Sequence, residues 1–476
     1  MTSSVDLRRA RQLADDPGVF FEGNYTKMQS IAWEDLSKLH LEALKIRFEE
    51  KRDAIPMLEK LSNQAKVDTL STIDDVVPVL FDHTTYKSYP NALLDSGRFD
   101  QLTRWLDKLT THDLSDVDAS HCDNIDSWMD ALDKQTDLKV GHSSGSTGTM
   151  SFLPRGAEEL DKYIRNMKIE LFQEFGSDEV VQDEPLNLHV IYPFFRHGAS
   201  SHIRALEFWV KHFAGDEERL HVLYPRRMSS DVMYLSARIQ AAAARGNLDS
   251  VKLSDEMRER MNEFHKLQKE LPQLLEKYVE NELKSFAGER VLATGPWTIN
   301  WDMAKIGLER GMRNMYSPDS VVLTGGGTKG REVPEDWREP IREFIGSRRI
   351  QAMYGMTECM GSHLLCEHEK YHIAPWIIPY VLDPDTCTPL PRTGRVTGRA
   401  AFFDLTAEVL WGGFITGDEV TINWAANCPC GRTSPYFDYK IQRYKDIKGD
   451  DKITCAASAE AHEEALSFLN SFGTGR

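Results

Sequence analysis

Positions 143–149, inside the stretch KVGHSSGSTGTMSF, hold seven consecutive Ser, Thr or Gly residues. Gly145 and Gly148 free the backbone for positive φ, so successive N–H groups can turn inward as an anion-binding nest. Ser143, Ser144, Ser146, Thr147 and Thr149 add hydroxyl donors. The chemistry that suits is the holding of phosphate. A flexible Ser/Gly spacer has the same composition, and the stretch by itself does not separate the two. It is not the common GxxxxGK[ST] loop, because no Lys-Ser/Thr follows the second glycine. A second reactive group is Cys428-Pro-Cys430, two thiols too close in the chain for a disulfide of normal geometry. Seven cysteines, an odd count, favour free thiols, a metal site or both over a disulfide framework. Cys122, Cys359 and Cys387 have no motif around them and read as buried packing.

A scaffold must position these groups, and 476 residues that are 41% hydrophobic and 28% charged can bury a large core. Lys and Arg number 57 against 74 Asp and Glu, a formal charge of -17, which repels nucleic acid and anionic membranes. Any anionic ligand must therefore be held by a local site. No apolar run approaches the ~18 residues that a membrane span needs, and the N-terminus lacks the apolar segment of a secretory signal. The expected location is cytoplasmic, with neither membrane nor nucleic acid as a partner. Apolar positions at helical spacing over 30–70, interrupted by Pro56, and over about 231–286, broken near RGNLDS, predict helices. Short β-type runs at 186–195, 320–327, 349–355 and 419–424 fall between and after them. The pattern predicts an α/β fold with a mainly parallel sheet flanked by helices and ligands at its carboxyl edge.

Four further segments follow the Ser/Thr/Gly loop in a fixed order: VVLTGGGTKG (321–330), MYGMTE (353–358), TGD (416–418) and GRTSPYFDYKIQRYKDIKGDDKI (431–453). Together they resemble the adenylate-forming ligases, which activate a carboxylate with ATP. Within that superfamily VLDPDTCTPLPRTGRVTG (381–398) and CPCGRTSPYF (428–437) resemble the phenylacetate-CoA ligase branch, which includes acyl-protein synthetases. The resemblance spans roughly residues 140–455. It implies a helical region over 1–130, an ATP- and acid-binding core over 131–442, and a hinge with the remnant of a C-terminal domain over 443–476.

The resemblance also implies roles. ATP phosphates would lie on Ser143 to Thr149, and Gly325, Gly326 and Gly327 would let the backbone run flat beside the purine. Tyr354, followed by Gly355, would face the adenine. Thr357 would meet the α-phosphate, Glu358 would bind Mg²⁺, Asp418 would accept the ribose hydroxyls, and Arg443 would approach ribose or phosphates. The aromatic segment at 191–209 stands where relatives place part of the acyl pocket, which favours an aromatic or bulky apolar acid. Arg196, His197 and His202 are the candidates for orienting its carboxylate. Cys366, His372, Cys428 and Cys430 would form a structural zinc site, with His368 competing for the place of His372.

Departures from the family pattern shape the rest. Arg155 is the nearest cation after the loop, where relatives carry a lysine, and WGGFITGD has no Arg-Tyr pair before its TGD. Asp446 matches the hinge pivot, yet only residues 454–476 follow, too few for the mobile lid of the relatives. Three readings stand. The first is acyl-adenylate formation with transfer to a thiol or amine, with CoA or a carrier protein as acceptor and homodimerisation left open. The second is an acyl-protein synthetase storing the acyl group on Cys455. The third is a catalytically silent binding subunit.

Overall fold

The helical spacing over residues 30–70 resolves into Trp33–Lys51 and Pro56–Ala65, with Pro56 in the first turn, where its missing N–H costs no helical bond. The second predicted helical block resolves into Ser230–Ala244 and Asp255–Lys277, continued by the single-turn elements Tyr278–Glu282 and Leu283–Phe286. The computed structural model describes residues 4–143, 149–171, 184–244, 246, 255–326, 334–347 and 349–448. Among them no helix is long and apolar enough to cross a membrane.

The described residues form two compact units. One gathers the chain up to Ser143, Thr149–Tyr163 and the residues from Gly355 onward; the other is built from Ile164–Tyr354.

The second unit contains the predicted parallel sheet. Its strands lie in the order Leu220–Arg227, His189–His197, Val291–Pro296, Val321–Gly325 and Arg349–Met356, each parallel to its neighbour. Ile191, Val291, Ala293 and Val322 on these strands pack with Met303, Ala304, Ile341 and Phe344 of the helices Trp297–Glu309 and Arg338–Ile345. Near-continuous apolar strands are what a sheet covered by helices requires. Contact between those two helices depends on Gly307, because a Cβ there would stand 2.2 Å from the Phe344 ring.

The first unit carries an antiparallel sheet in the order Lys370–His372, Tyr436–Asp438, Gly413–Asn423, Arg395–Asp404 and Ile377–Leu382. Helix Trp33–Lys51 is tied to irregular backbone near this sheet by side-chain donors. Arg47 Nε donates to Leu405 O at 2.8 Å, and Lys51 Nζ donates to Glu408 O at 2.6 Å and Leu410 O at 3.2 Å. These bonds satisfy carbonyls that no strand partner reaches. Cys122, Cys359, Cys366, Cys428 and Cys430 are free thiols. Cys122, Cys359 and Cys387 are all buried, as their expected use in packing requires.

His40 of the same helix is buried with Nε2 at 2.7 Å from Pro375 O. Burial pulls its pKa down to about 4 from 6.5; the bond to Pro375 opposes that shift and Arg392 adds to it. The unfolded chain takes up a proton near pH 6.5 that the folded chain refuses until about pH 4. Stability is therefore full above that window and falls as pH drops through it, by up to about 3 kcal/mol for this one group. Thermal unfolding should show a lower Tm near pH 5 than at neutrality. His40→Gln keeps a donor for Pro375 without titrating and should show a smaller drop; equal drops in both proteins would reject His40 as the source.

Candidate active site and metal centre

The flanks of the Ser/Thr/Gly tract are paired. Gly141–His142 and Phe152–Leu153 form an antiparallel ribbon, Ser143 N donates to Ser151 O at 3.1 Å, and Ser151 N donates to Ser143 Oγ at 3.0 Å. Met150 and Phe152 are fully buried, and Tyr89 Oη donates to Met150 O at 2.8 Å. Thr149 is half-buried. Ser144, Gly145, Ser146, Thr147 and Gly148 lie outside the described residues, as do Gly327 and Cys455.

Within the second unit, adjacent parallel strands bring two motifs together. Thr324 pairs with Ala352, so Gly325 and Gly326 continue beside Met353 and Tyr354 at the carboxyl ends of the strands. A Cβ on Gly325 would stand 3.1 Å from Met353 O, and Gly326 has φ +86°, a region where side chains are strained. Tyr354 is half-buried. Arg196, His197 and His202 also belong to this unit. Arg196 is ion-paired with Glu217, its Nε donating to Oε2 at 3.1 Å. His197 is exposed at the end of its strand, and His202, also exposed, lies 5.4 Å from the Phe194 ring.

Gly355, Thr357 and Glu358 belong to the first unit. Thr357 and Glu358 make the turn between Arg349–Met356 and Cys359–Leu364, and Thr357 Oγ1 donates to Glu358 Oε2 at 2.9 Å. Both are half-buried, so a polar ligand could meet the hydroxyl and the carboxylate together.

Asp418 owes its place to a strand irregularity. Arg399 pairs with Glu419 but Ala401 pairs with Ile415, so the strand Gly413–Asn423 carries two extra residues across TGD. Such bulges re-aim side chains. Thr416 holds the bulge, donating from Oγ1 to Ala400 O at 2.8 Å and accepting from Asp418 N at 3.0 Å. Asp418 pairs across the sheet with Arg443, whose Nε lies 3.7 Å from Asp418 Oδ1. Arg443 is 64% exposed at its side chain and Asp418 19%. Beyond it, Tyr444 is buried beneath the Arg399 guanidinium, 4.4 Å from the ring centroid. Asp446 is exposed in the first turn of Tyr444–Lys448.

Cys366, His372, Cys428 and Cys430 converge, with one ligand atom of each within 4.8 Å of all the others. Cys366 Sγ and Cys428 Sγ are 3.7 Å apart, close to the ~3.8 Å edge of a tetrahedron with Zn–S bonds of about 2.3 Å. Cys430 Sγ lies 3.2 Å from His372 Nε2. His372 Nδ1 is 3.1 Å from Ser434 Oγ, a contact that orients the ring and leaves Nε2 for a metal. Burial pushes His372 down to about 3 and the Cys428 thiol up to about 12, so without a cation these two groups are neutral near pH 7. The donor set fits a tetrahedral metal. His368 is exposed and outside the cluster.

No protein-family model and no curated protein matches the chain. Solved structures similar to it include an open conformation of 2-hydroxyisobutyryl-CoA ligase in complex with 2-HIB-AMP and CoA, at 16% identity and TM-score 0.48, covering 90% of this chain and 74% of that one. ATP-bound MatB from Rhodopseudomonas palustris is similar at 13% identity and TM-score 0.34, over 65% of this chain and 51% of that chain. The amide bond synthetase McbA from Marinactinospora thermotolerans is similar at 12% identity and TM-score 0.32, over 63% and 49%.

One pair escaped the sequence reading. Arg155, the nearest cation after the loop, is buried and bonded to Glu159, which no motif marks. The available signal was their spacing of four residues at the start of the helix Ala157–Leu171.

Proposed function

We propose that the protein is an AMP-forming ligase: it activates a carboxylic acid with ATP and passes the acyl group to a thiol or amine. The observation that supports this most is Asp418 facing Arg443. Two motifs 25 residues apart bring a half-buried carboxylate beside an exposed guanidinium, groups that suit ribose hydroxyls and a ribose or phosphate.

In the reaction, a carboxylate oxygen forms a bond to the α-phosphorus as the bond to the bridging oxygen breaks, and pyrophosphate leaves with that electron pair. The acceptor then attacks the acyl carbon and AMP departs. Tyr354 offers a flat face to adenine, with Gly325 and Gly326 leaving room beside it. Thr357 donates to an α-phosphate oxygen. Among the described residues the Glu358 carboxylate has only the Thr357 hydroxyl as a hydrogen-bond partner, so it fits a hard cation. Magnesium, when bound there, would offset phosphate charge. Ser143 to Thr149 would hold the remaining phosphates.

Arg196, His197 and His202 are proposed to orient the acid, for which the aromatic strand His189–His197 favours an aromatic or bulky apolar body. Arg196 would have to exchange Glu217 for the substrate carboxylate. Asp446 is the proposed hinge, and CoA, a carrier protein or a small amine the proposed acceptor. Cys366, His372, Cys428 and Cys430 are proposed to bind one structural zinc, which would tie two turns of the first unit together.

Acid-dependent exchange of pyrophosphate into ATP, assayed over aromatic, fatty and amino acids, tests the first half-reaction. Exchange with at least one acid is expected. Its absence across the panel would favour the silent binding subunit instead. An acyl adduct on Cys455, seen by mass spectrometry after ATP and acid, would favour the acyl-protein synthetase.

A further inference from the structure

Arg155 is 4% exposed; its two Nη atoms are engaged by backbone and by one carboxylate, while Nε is buried with no hydrogen-bond partner among the described residues. Nη1 donates to Glu159 Oε1 at 2.7 Å, while Nη2 donates to both Thr357 O at 3.2 Å and Glu358 O at 2.9 Å. Glu159, 2% exposed, is held in turn: Oε2 accepts from Gly156 N at 3.1 Å and Oε1 from Glu408 N at 3.3 Å. All of these residues lie in one unit. Successive carbonyls in a regular strand point to opposite sides, so two that meet on a single nitrogen mark a turn whose peptide planes are constrained. The far side of the turn is clamped as well. Met360 N donates to Asp404 Oδ2 at 2.8 Å, and Asp404 Oδ1 accepts from Thr406 N at 2.9 Å and Thr406 Oγ1 at 2.6 Å.

We propose that Arg155 is a positioning residue for adenylation, locking the Thr357–Glu358 turn so that its hydroxyl and carboxylate are presented together to the nucleotide and its cation. The inference rests on the proposed function and goes beyond it. Arg155 does not meet pyrophosphate, as the lysine of the relatives would suggest; it acts from behind the turn. A buried ion pair is a poor device for stability alone, since apolar side chains of similar volume do as well or better. Its advantage here is direction. A planar guanidinium can hold one carboxylate and two carbonyls at set angles, which an ammonium cannot reproduce.

Three variants test this: Arg155→Met, Arg155→Lys and the double variant Arg155→Met with Glu159→Met. For each, pyrophosphate exchange is titrated with Mg²⁺ and with ATP, Tm is measured, and amide hydrogen exchange is followed at Cys359 and Met360. In Arg155→Met, kcat for exchange should fall about 10²-fold, as for a catalytic group displaced by roughly 1 Å. Half-saturating Mg²⁺ should rise about ten-fold while KM for ATP changes little, because the cation ligand is what moves. The double variant removes both members of the Arg155–Glu159 pair, so its Tm should recover part of the loss while its exchange stays low. Arg155→Lys should fall between. Amide exchange at Met360 should quicken in every variant, whatever the activity.

A double variant that recovers activity along with Tm would overturn the proposal and leave Arg155 a stability residue. So would Arg155→Met with full activity and unchanged Mg²⁺ dependence. A wild-type protein with no exchange for any acid would instead remove the proposed function, and this role with it.

Discussion

Glu358→Gln should lower acid-dependent pyrophosphate exchange by about 10³-fold, the scale of losing a preorganised charge at the reacting phosphate. Glutamine keeps the length of the side chain and an oxygen that can accept from Thr357 Oγ1, the 2.9 Å bond that the carboxylate accepts in the turn. What it removes is negative charge on a hard oxygen, the property a magnesium ligand needs. The turn itself is held by Arg155 and Asp404 through backbone atoms, so the fold should persist and Tm should change little. Loss of exchange with an unchanged melting curve is the expected pair of results. Full activity would reject the assigned role.

The second large effect concerns the Cys366, His372, Cys428 and Cys430 cluster. Purified protein should carry one zinc per chain, and Cys428→Ser should weaken the first unit by about 3–5 kcal/mol. Three of the four groups are buried, so stripping the metal leaves thiols and an imidazole with no water to replace it. Tm should drop by roughly 6–15 °C in the serine variant and in protein stripped by a strong chelator, and zinc should restore the latter. His368→Ala should leave zinc content unchanged, because that ring is outside the cluster. Well under one zinc per chain would dispose of the claim, and so would a Cys428→Ser protein with wild-type Tm.

Much of the architecture was legible in local pattern. Helices at 33–51 and 56–65 follow from helical spacing and a proline at the first position of the second. The strands at 189–197, 321–325 and 349–356 follow from apolar runs ending in polar or glycine turns, and all three belong to the parallel sheet, whose strands Leu220–Arg227 and Val291–Pro296 lie outside those runs. The antiparallel sheet of the first unit was read only at one strand, 419–424, which proves to be part of Gly413–Asn423. Lys370–His372 and Tyr436–Asp438 are too short, and Arg395–Asp404 too rich in arginine and glycine at one end, for a period to stand out, while Ile377–Leu382 carries Pro379 in its middle.

By itself, the sequence determined residue types: which hydroxyls, carboxylates and thiols are present, and that -17 of formal charge leaves anion binding to local sites. Only the tertiary structure decided which of those groups meet. Asp418 reaches Arg443 because two extra residues bulge one strand, and pairing register is a property of two strands together. His372 rather than His368 joins three thiols because it pairs with Tyr436 across the sheet, while His368 sits in an exposed turn. Arg155, in sequence only the nearest cation after the loop, is buried because Glu159 and two carbonyls, from segments some 200 residues apart, close around it. Contacts of that range depend on how the chain folds back on itself, and no window of local sequence contains that information.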